Sequence, residues 1–154
     1  HMADLPNGRR GGPLQDLISH GIFETKLTAF KCTEKMDSGP VYMKVPFTLY
    51  GSAEEILLRA RSVVKKIITA IIETNPIPTE QLGGGNFFKH RSEQDSDISK
   101  LDTLEKIFDY IRMLDCAGYP HAYLETNNFK FEFTRASLKS NDTIIADVKI
   151  TKKK

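Results

Sequence analysis

From Ser52 to Glu73 the apolar residues Ile56, Leu57, Ala60, Val63, Val64, Ile67, Ile68, Ile71 and Ile72 keep to one side of a 3.6-residue period, and Glu55, Arg59, Lys65 and Lys66 take the other. This spacing predicts a long amphipathic helix with nine apolar residues on its inner face. Ser52 and Glu55 have the spacing of a capping box, which satisfies two backbone donors at the helix start. Asn75-Pro76-Ile77-Pro78 ends the helix, because proline disfavours helical geometry in the residue before it. A second amphipathic helix carries Leu104, Ile107, Phe108, Ile111 and Leu114 on one face, with Asp102 as its expected cap and Ala117-Gly118-Tyr119-Pro120 as its stop.

Other stretches alternate or break. Pro13 at a first helical position and Gly21 after Leu14, Leu17 and Ile18 bracket a short helix, with His20 expected to interact with its C-terminal end. Lys26 to Cys32 and Val41 to Leu49 read as strands, joined as a hairpin through the turn-forming run Glu34 to Gly39. Phe129, Phe131 and Phe133 alternate with Lys130, Glu132 and Thr134, and Ile144 to Ile150 follows, so two or three closing strands are expected. Tyr42, Phe47 and Tyr50 read as core. The loop holding Gly83-Gly84-Gly85 and Phe87-Phe88-Lys89-His90-Arg91 is too long to be idle in a compact domain. His90 there reads as a solvated loop residue or a phosphate contact, and His121 as a strand-edge residue.

Composition narrows the class. The chain has 154 residues with 40% hydrophobic and 27% charged residues, the profile of a globular protein able to bury a core. A net charge of +2 gives no basic footprint for nucleic acid, and Lys152, Lys153 and Lys154 read as a frayed tail. Cys32 and Cys116 stand far apart without a CxxC or a Cys/His cluster, which argues against a disulfide framework and a zinc site. No metal ligand set is expected. The same cysteine usage favours a reducing, cytoplasmic setting, and the chain shows no signal peptide and no apolar run long enough to span a bilayer, so no membrane partner is expected.

The opening 42 residues, "HMADLPNGRRGGPLQDLISHGIFETKLTAFKCTEKMDSGPVY", carry a denser signal. They resemble, without a gap, the second half of the folate-dependent formyltransferase domain. Its methionyl-tRNA members show a pattern like H-P-S-L-L-P-x-x-R-G-A-A-P-I-Q, then an E-T-x-x-T strand, then L-D-T-G. The matching residues are His1, Leu5, Pro6, Arg9, Pro13, Gln15, Glu24, Thr25, Thr28, Asp37 and Gly39. "GSAEEILLRA", "FFKHRSEQDSDI", "IFDYIRMLDCAGYPHAYLE" and "FKFEFTRASL" extend the resemblance over nearly the whole chain apart from the basic tail, the last pieces being similar to the sugar-modifying and unassigned formyltransferase branches. One position departs: Arg10 stands where the family usually has glycine.

The resemblance implies an α/β fold: a partial, Rossmann-like formyltransferase domain over 1–98, with part of a mixed sheet flanked by helices, and a small β-rich C-terminal subdomain over 99–154. In the family a Rossmann-like half precedes the histidine. The chain therefore reads as a truncated gene product or a cut fragment, although His1-Met2 is also the dipeptide that tag removal leaves.

The implied chemistry is transfer of a formyl group from N10-formyltetrahydrofolate to an amine. His1 as an imidazolium would donate to the developing oxyanion, and Asp37 would keep it charged, orient it and help remove the amine proton. Leu5 and Pro6, with the turn Thr33, Glu34, Lys35, Met36, Ser38 and Gly39, are the implied folate contacts; Arg9, Arg10, Gly11, Gly12 and Gln15 the implied acceptor contacts. A nucleotide-linked amino sugar is the expected acceptor, and aminoacyl-tRNA the alternative. A truncated, non-catalytic scaffold is the reading from another class, and a hydrolase passing formyl to water a minor one. Uncovered apolar surface leads to a further expectation, of self-association or a partner over the open sheet edge.

Overall fold

The computed structural model describes every residue from His1 to Lys154 and divides into two compact units. One comprises His1–Tyr50 with Glu55–His90, the other Gly51–Glu54 with Arg91–Lys154. The architecture is α/β, with three α-helices and two sheets.

The first unit begins with an irregular segment that hydrogen bonds to the first strand: the His1 nitrogen donates to the Thr28 carbonyl at 2.9 Å, and Thr28 N–H donates back to the His1 carbonyl at 2.8 Å. Helix α1 (Pro13–Ser19) follows, and His20 caps its C-terminus with Nδ1 2.7 Å from the Asp16 carbonyl. Strands β1 (Glu24–Phe30) and β2 (Val41–Thr48) form an antiparallel hairpin in which Leu27 faces Val45. Phe47 is core as expected, but Tyr50 is 58% exposed and stacks on Phe23 at 5.5 Å, because it lies beyond the paired part of β2.

Helix α2 (Ala53–Thr74) has the predicted extent, and its apolar arc divides in two. Ile56, Ala60 and Ile67 are buried, whereas Val64, Ile68 and Ile72 are exposed, Ile72 by 75%. The expectation of nine residues on one inner face is corrected: they span about half the helix circumference, wider than a single packing stripe. Ile56 has no exposed surface. Ile56→Ala is expected to cost about 2–5 kcal/mol in urea unfolding, the range for a large-to-small change at a fully buried site.

The second unit holds a 3₁₀ turn (Glu93–Ser96), helix α3 (Leu104–Met113) and strands β3 (Ala122–Glu125), β4 (Phe129–Lys139) and β5 (Thr143–Lys152) in the antiparallel order β3-β4-β5. The cap of α3 is Thr103, whose hydroxyl accepts from Lys106 N–H at 3.2 Å. Asp102, one residue too early to cap, ion-pairs with Lys106 at 2.6 Å. Arg112, 5% exposed, is held by Asp109 at 2.7 Å and donates to the Gly51 carbonyl at 2.9 Å. The basic tail is not frayed throughout: Lys152 belongs to β5, and Lys153 donates from its backbone to Asn128 and from its side chain to Glu125. No helix is long and apolar enough to cross a membrane.

Candidate functional site

Two turns meet in the first unit. Asp37 sits at the hairpin turn with φ 54°, a left-handed conformation that aspartate tolerates better than most residues. Its carboxylate lies 3.9 Å from His1 Nδ1, and its other oxygen accepts the Arg10 backbone N–H at 2.9 Å. His1 Nε2 is 2.8 Å from the Gly8 carbonyl. A carbonyl only accepts, so Nε2 carries a proton and Nδ1 is turned toward Asp37. At 3.9 Å the pair makes no direct hydrogen bond. Both side chains are largely shielded, 12% and 17% exposed, and the edge of Phe30 packs on the imidazole at 6.3 Å.

Gln81, absent from the sequence-based set, holds this arrangement together. Its Nε2 donates to the carbonyls of Asp37 (3.0 Å) and Gly39 (2.8 Å), and its Oε1 accepts from the Arg9 guanidinium at 2.7 Å. Arg9 is 7% exposed, and its Nε makes no hydrogen bond within the chain. The glycine-rich loop brings Gln81 into place. Arg9 N–H donates to the Asn86 carbonyl at 3.1 Å, and Phe88 N–H donates to the Arg9 carbonyl at 2.8 Å, so the strip around Phe87 runs parallel to Gly8–Arg9. A Cβ on Gly85 would stand 2.1 Å from the Pro6 carbonyl oxygen; only glycine allows that approach. The only sequence signal for Gln81 was the length of its loop.

The remaining predicted residues separate into exposed and buried sets. Thr33, Glu34, Lys35 and Met36 form the exposed rim of the turn beside Asp37, Met36 at 63% exposure, while Ser38 is half-buried and Gly39 buried. Arg10 is exposed with its guanidinium 5.0 Å from the Phe87 ring, and its φ of 62° shows that the backbone keeps the left-handed conformation despite the departure from glycine. Gly11 is exposed and Gly12 half-buried. Leu5 is fully buried, Pro6 half-buried, and Gln15 buried in α1.

A cavity of about 960 Å³ opens elsewhere in this unit, lined among others by Asp4, Lys26, Phe47, Arg59 and Phe88; neither His1 nor Asp37 lines it. Burial works against ionisation of Asp4, but hydrogen bonds and charge from Lys44 and Lys26 outweigh it and hold the carboxyl below its ordinary range. Arg59 donates to the Thr48 and Tyr50 carbonyls. Asp4, Lys26 and Arg59 are thus engaged with the chain itself. His20 and His90 are both exposed, and His121 Nδ1 lies 3.1 Å from the Leu114 carbonyl just before β3.

The geometry can be set beside known proteins. Residues 93–151 match the family model described as the methionyl-tRNA formyltransferase C-terminal domain. A methionyl-tRNA formyltransferase from Cutibacterium acnes is 29% identical over 154 residues, covering 96% of this chain and 49% of that protein. The chain thus spans about half the length of the curated relatives it matches. A solved structure of methionyl-tRNA formyltransferase from Clostridium thermocellum superposes with a TM-score of 0.96 at 45% identity, covering 99% of this chain and 67% of that one. An N-formyltransferase from Helicobacter canadensis, solved with folinic acid and dTDP-3-aminofucose, shares the fold at a TM-score of 0.57 and 16% identity, covering 86% of this chain and 60% of that one. With this identity spread over nearly its entire length, the chain belongs to the formyltransferase family.

Proposed function

We propose that this chain forms the His1–Asp37 side of an enzyme that transfers a formyl group from N10-formyltetrahydrofolate to a primary amine. The observation that carries this reading is the shielded His1–Asp37 pair, 3.9 Å apart, at a turn bracketed by Gln81 and Arg9. The folate would lie on the exposed turn of Thr33, Glu34, Lys35 and Met36, where the Met36 side chain offers an apolar face to a flat ring. Bound there, it supplies the activated formyl carbon. His1 holds a proton at Nδ1 for the oxygen on which negative charge grows, Asp37 takes the proton that the attacking amine must lose, and as the bond from the formyl carbon to N10 breaks that proton passes to N10 of the departing tetrahydrofolate. Leu5, being fully buried, serves through its backbone and the packing beneath the site.

The acceptor is read as the amine of a nucleotide-linked amino sugar, reached by Arg10 and the backbone at Gly11 and Gly12, with Arg9 and Gln15 supporting that loop from within. The near balance of acidic and basic residues in the second unit favours a small acceptor over the phosphates of tRNA. Aminoacyl-tRNA is the second reading, supported by the 45% identity to the Clostridium thermocellum protein. Turnover decides between them: this sequence joined to the preceding half of a relative is expected to formylate an amino-sugar nucleotide from N10-formyltetrahydrofolate. Formylation of methionyl-tRNA alone would shift the reading to the second acceptor, and no formylation of either would end it. The chain as it stands is expected to give no turnover.

A further inference from the structure

Strand β5 is ten residues long and hydrogen bonds on one side only, to β4. Lys153 N–H donates to the Asn128 carbonyl on that side at 2.8 Å. Alternation along an antiparallel ladder then directs the backbone groups of Thr151, Lys149 and Asp147 at β4 and turns those of Ala146, Val148, Ile150 and Lys152 outward, unpaired. Such an edge is ordinarily blunted by proline, a bulge or charged side chains, and the charges of β5, Asp147, Lys149 and Lys152, are of both signs. Here β5 has no proline, and the sheet's irregularity, between Thr134 and Ser137, puts its extra residue on β4. Ile145, Val148 and Ile150 are 60%, 48% and 58% exposed along the strand.

We propose that this edge is an interface with a second copy of the chain, β5 pairing antiparallel with β5 about a two-fold axis through Val148. The proposal stands apart from the reading of formyl transfer. Charge complementarity favours a second copy as the occupant and argues against the neighbouring registers. A two-fold axis normal to the sheet keeps each side chain on its own face, so paired positions must both be odd or both be even. With the axis at Val148, Asp147 of each copy faces Lys149 of the other, and Ala146 faces Ile150. Moving the axis to Asp147 sets that carboxylate against itself, and moving it to Lys149 sets ammonium against ammonium; like charges directly opposite are destabilising.

Neighbouring strands extend the same order. Within one chain Lys149 is 3.7 Å from Glu132, and Arg135 ion-pairs with Asp147. Across the joined edges the charges therefore alternate along Glu132, Lys149, the other copy's Asp147 and its Arg135. On the opposite face Val148 pairs with Phe133 and Ile150 with Phe131 within each chain, so edge pairing makes one apolar row through both copies.

Sedimentation of this chain at micromolar concentration is expected to give twice its 17.4 kDa mass. D147K and K149D are each expected to sediment as monomers, and their equimolar mixture to recover the dimer, because only the mixed pair opposes unlike charges. Val148→Pro, which removes an outward N–H and leaves the β4 ladder intact, is also expected to give a monomer with unchanged far-ultraviolet circular dichroism. A monomeric parent chain, a dimer that survives Val148→Pro, or charge variants that fail to recombine would overturn the interface. Should the variants unfold, hydrogen exchange on the parent chain decides: slow exchange at Ala146, Val148 and Ile150 that becomes fast on dilution supports it, and exchange independent of concentration overturns it.

Discussion

Asp37→Asn, in a formyltransferase completed by the preceding half of a relative, is expected to lower kcat by about 10²–10⁴-fold with little change in KM, the usual contribution of a positioned acid or base. Asparagine is close in shape, and its side-chain oxygen can still accept the Arg10 N–H that the carboxylate holds at 2.9 Å. The Gln81 contacts are to backbone carbonyls and survive the change. What disappears is the negative charge 3.9 Å from His1 Nδ1 and, on the proposed reading, the group that takes the amine proton. Steady-state kinetics of the matched pair check this; activity within a few-fold of the parent would remove Asp37 from the chemistry.

Gly39→Ala should be the most disruptive small substitution near the site, destabilising the chain by about 2–4 kcal/mol, in the upper part of the range for single changes. A Cβ at this position would stand 1.7 Å from the Lys31 carbonyl oxygen and 2.9 Å from its carbon, both backbone atoms that cannot rotate away. Relief requires the two chains at the mouth of the hairpin to separate. Lys31 N–H would then lose the Pro40 carbonyl it meets at 2.8 Å, and Gln81 its hold on Gly39. Gly84→Ala is the matched control: nothing lies within 4 Å of its Cβ, and the expected change is within about 0.5 kcal/mol. Urea unfolding of the two variants separates a packing constraint from a general intolerance of alanine in these loops.

Local pattern placed α2, α3 and the stretches of β1, β2, β4 and β5, and Pro13 with Gly21 bracketed α1, since each depends on residues a few positions apart; the four-residue β3 carried no such pattern. Thr103 displaced Asp102 as the cap of α3 because caps are decided by single-residue geometry, which a preference shared by both residue types cannot resolve. The family resemblance singled out His1 and Asp37 as candidates, yet nothing in one dimension measures the 3.9 Å between them.

What the sequence by itself determined, then, is the order of most elements, read from short-range pattern, and the family, read from its resemblance over nearly the whole chain; the candidate pair is what that resemblance implies. Only the tertiary structure decided that Gln81, 44 residues beyond Asp37, brackets the turn, that Arg9 and Gln15 are buried while Arg10 faces solvent, and that the apolar arc of α2 is covered along one half. Those outcomes depend on which distant segments come to lie side by side. A glutamine is marked for such a role only when folding brings two carbonyls and a guanidinium within reach of its amide.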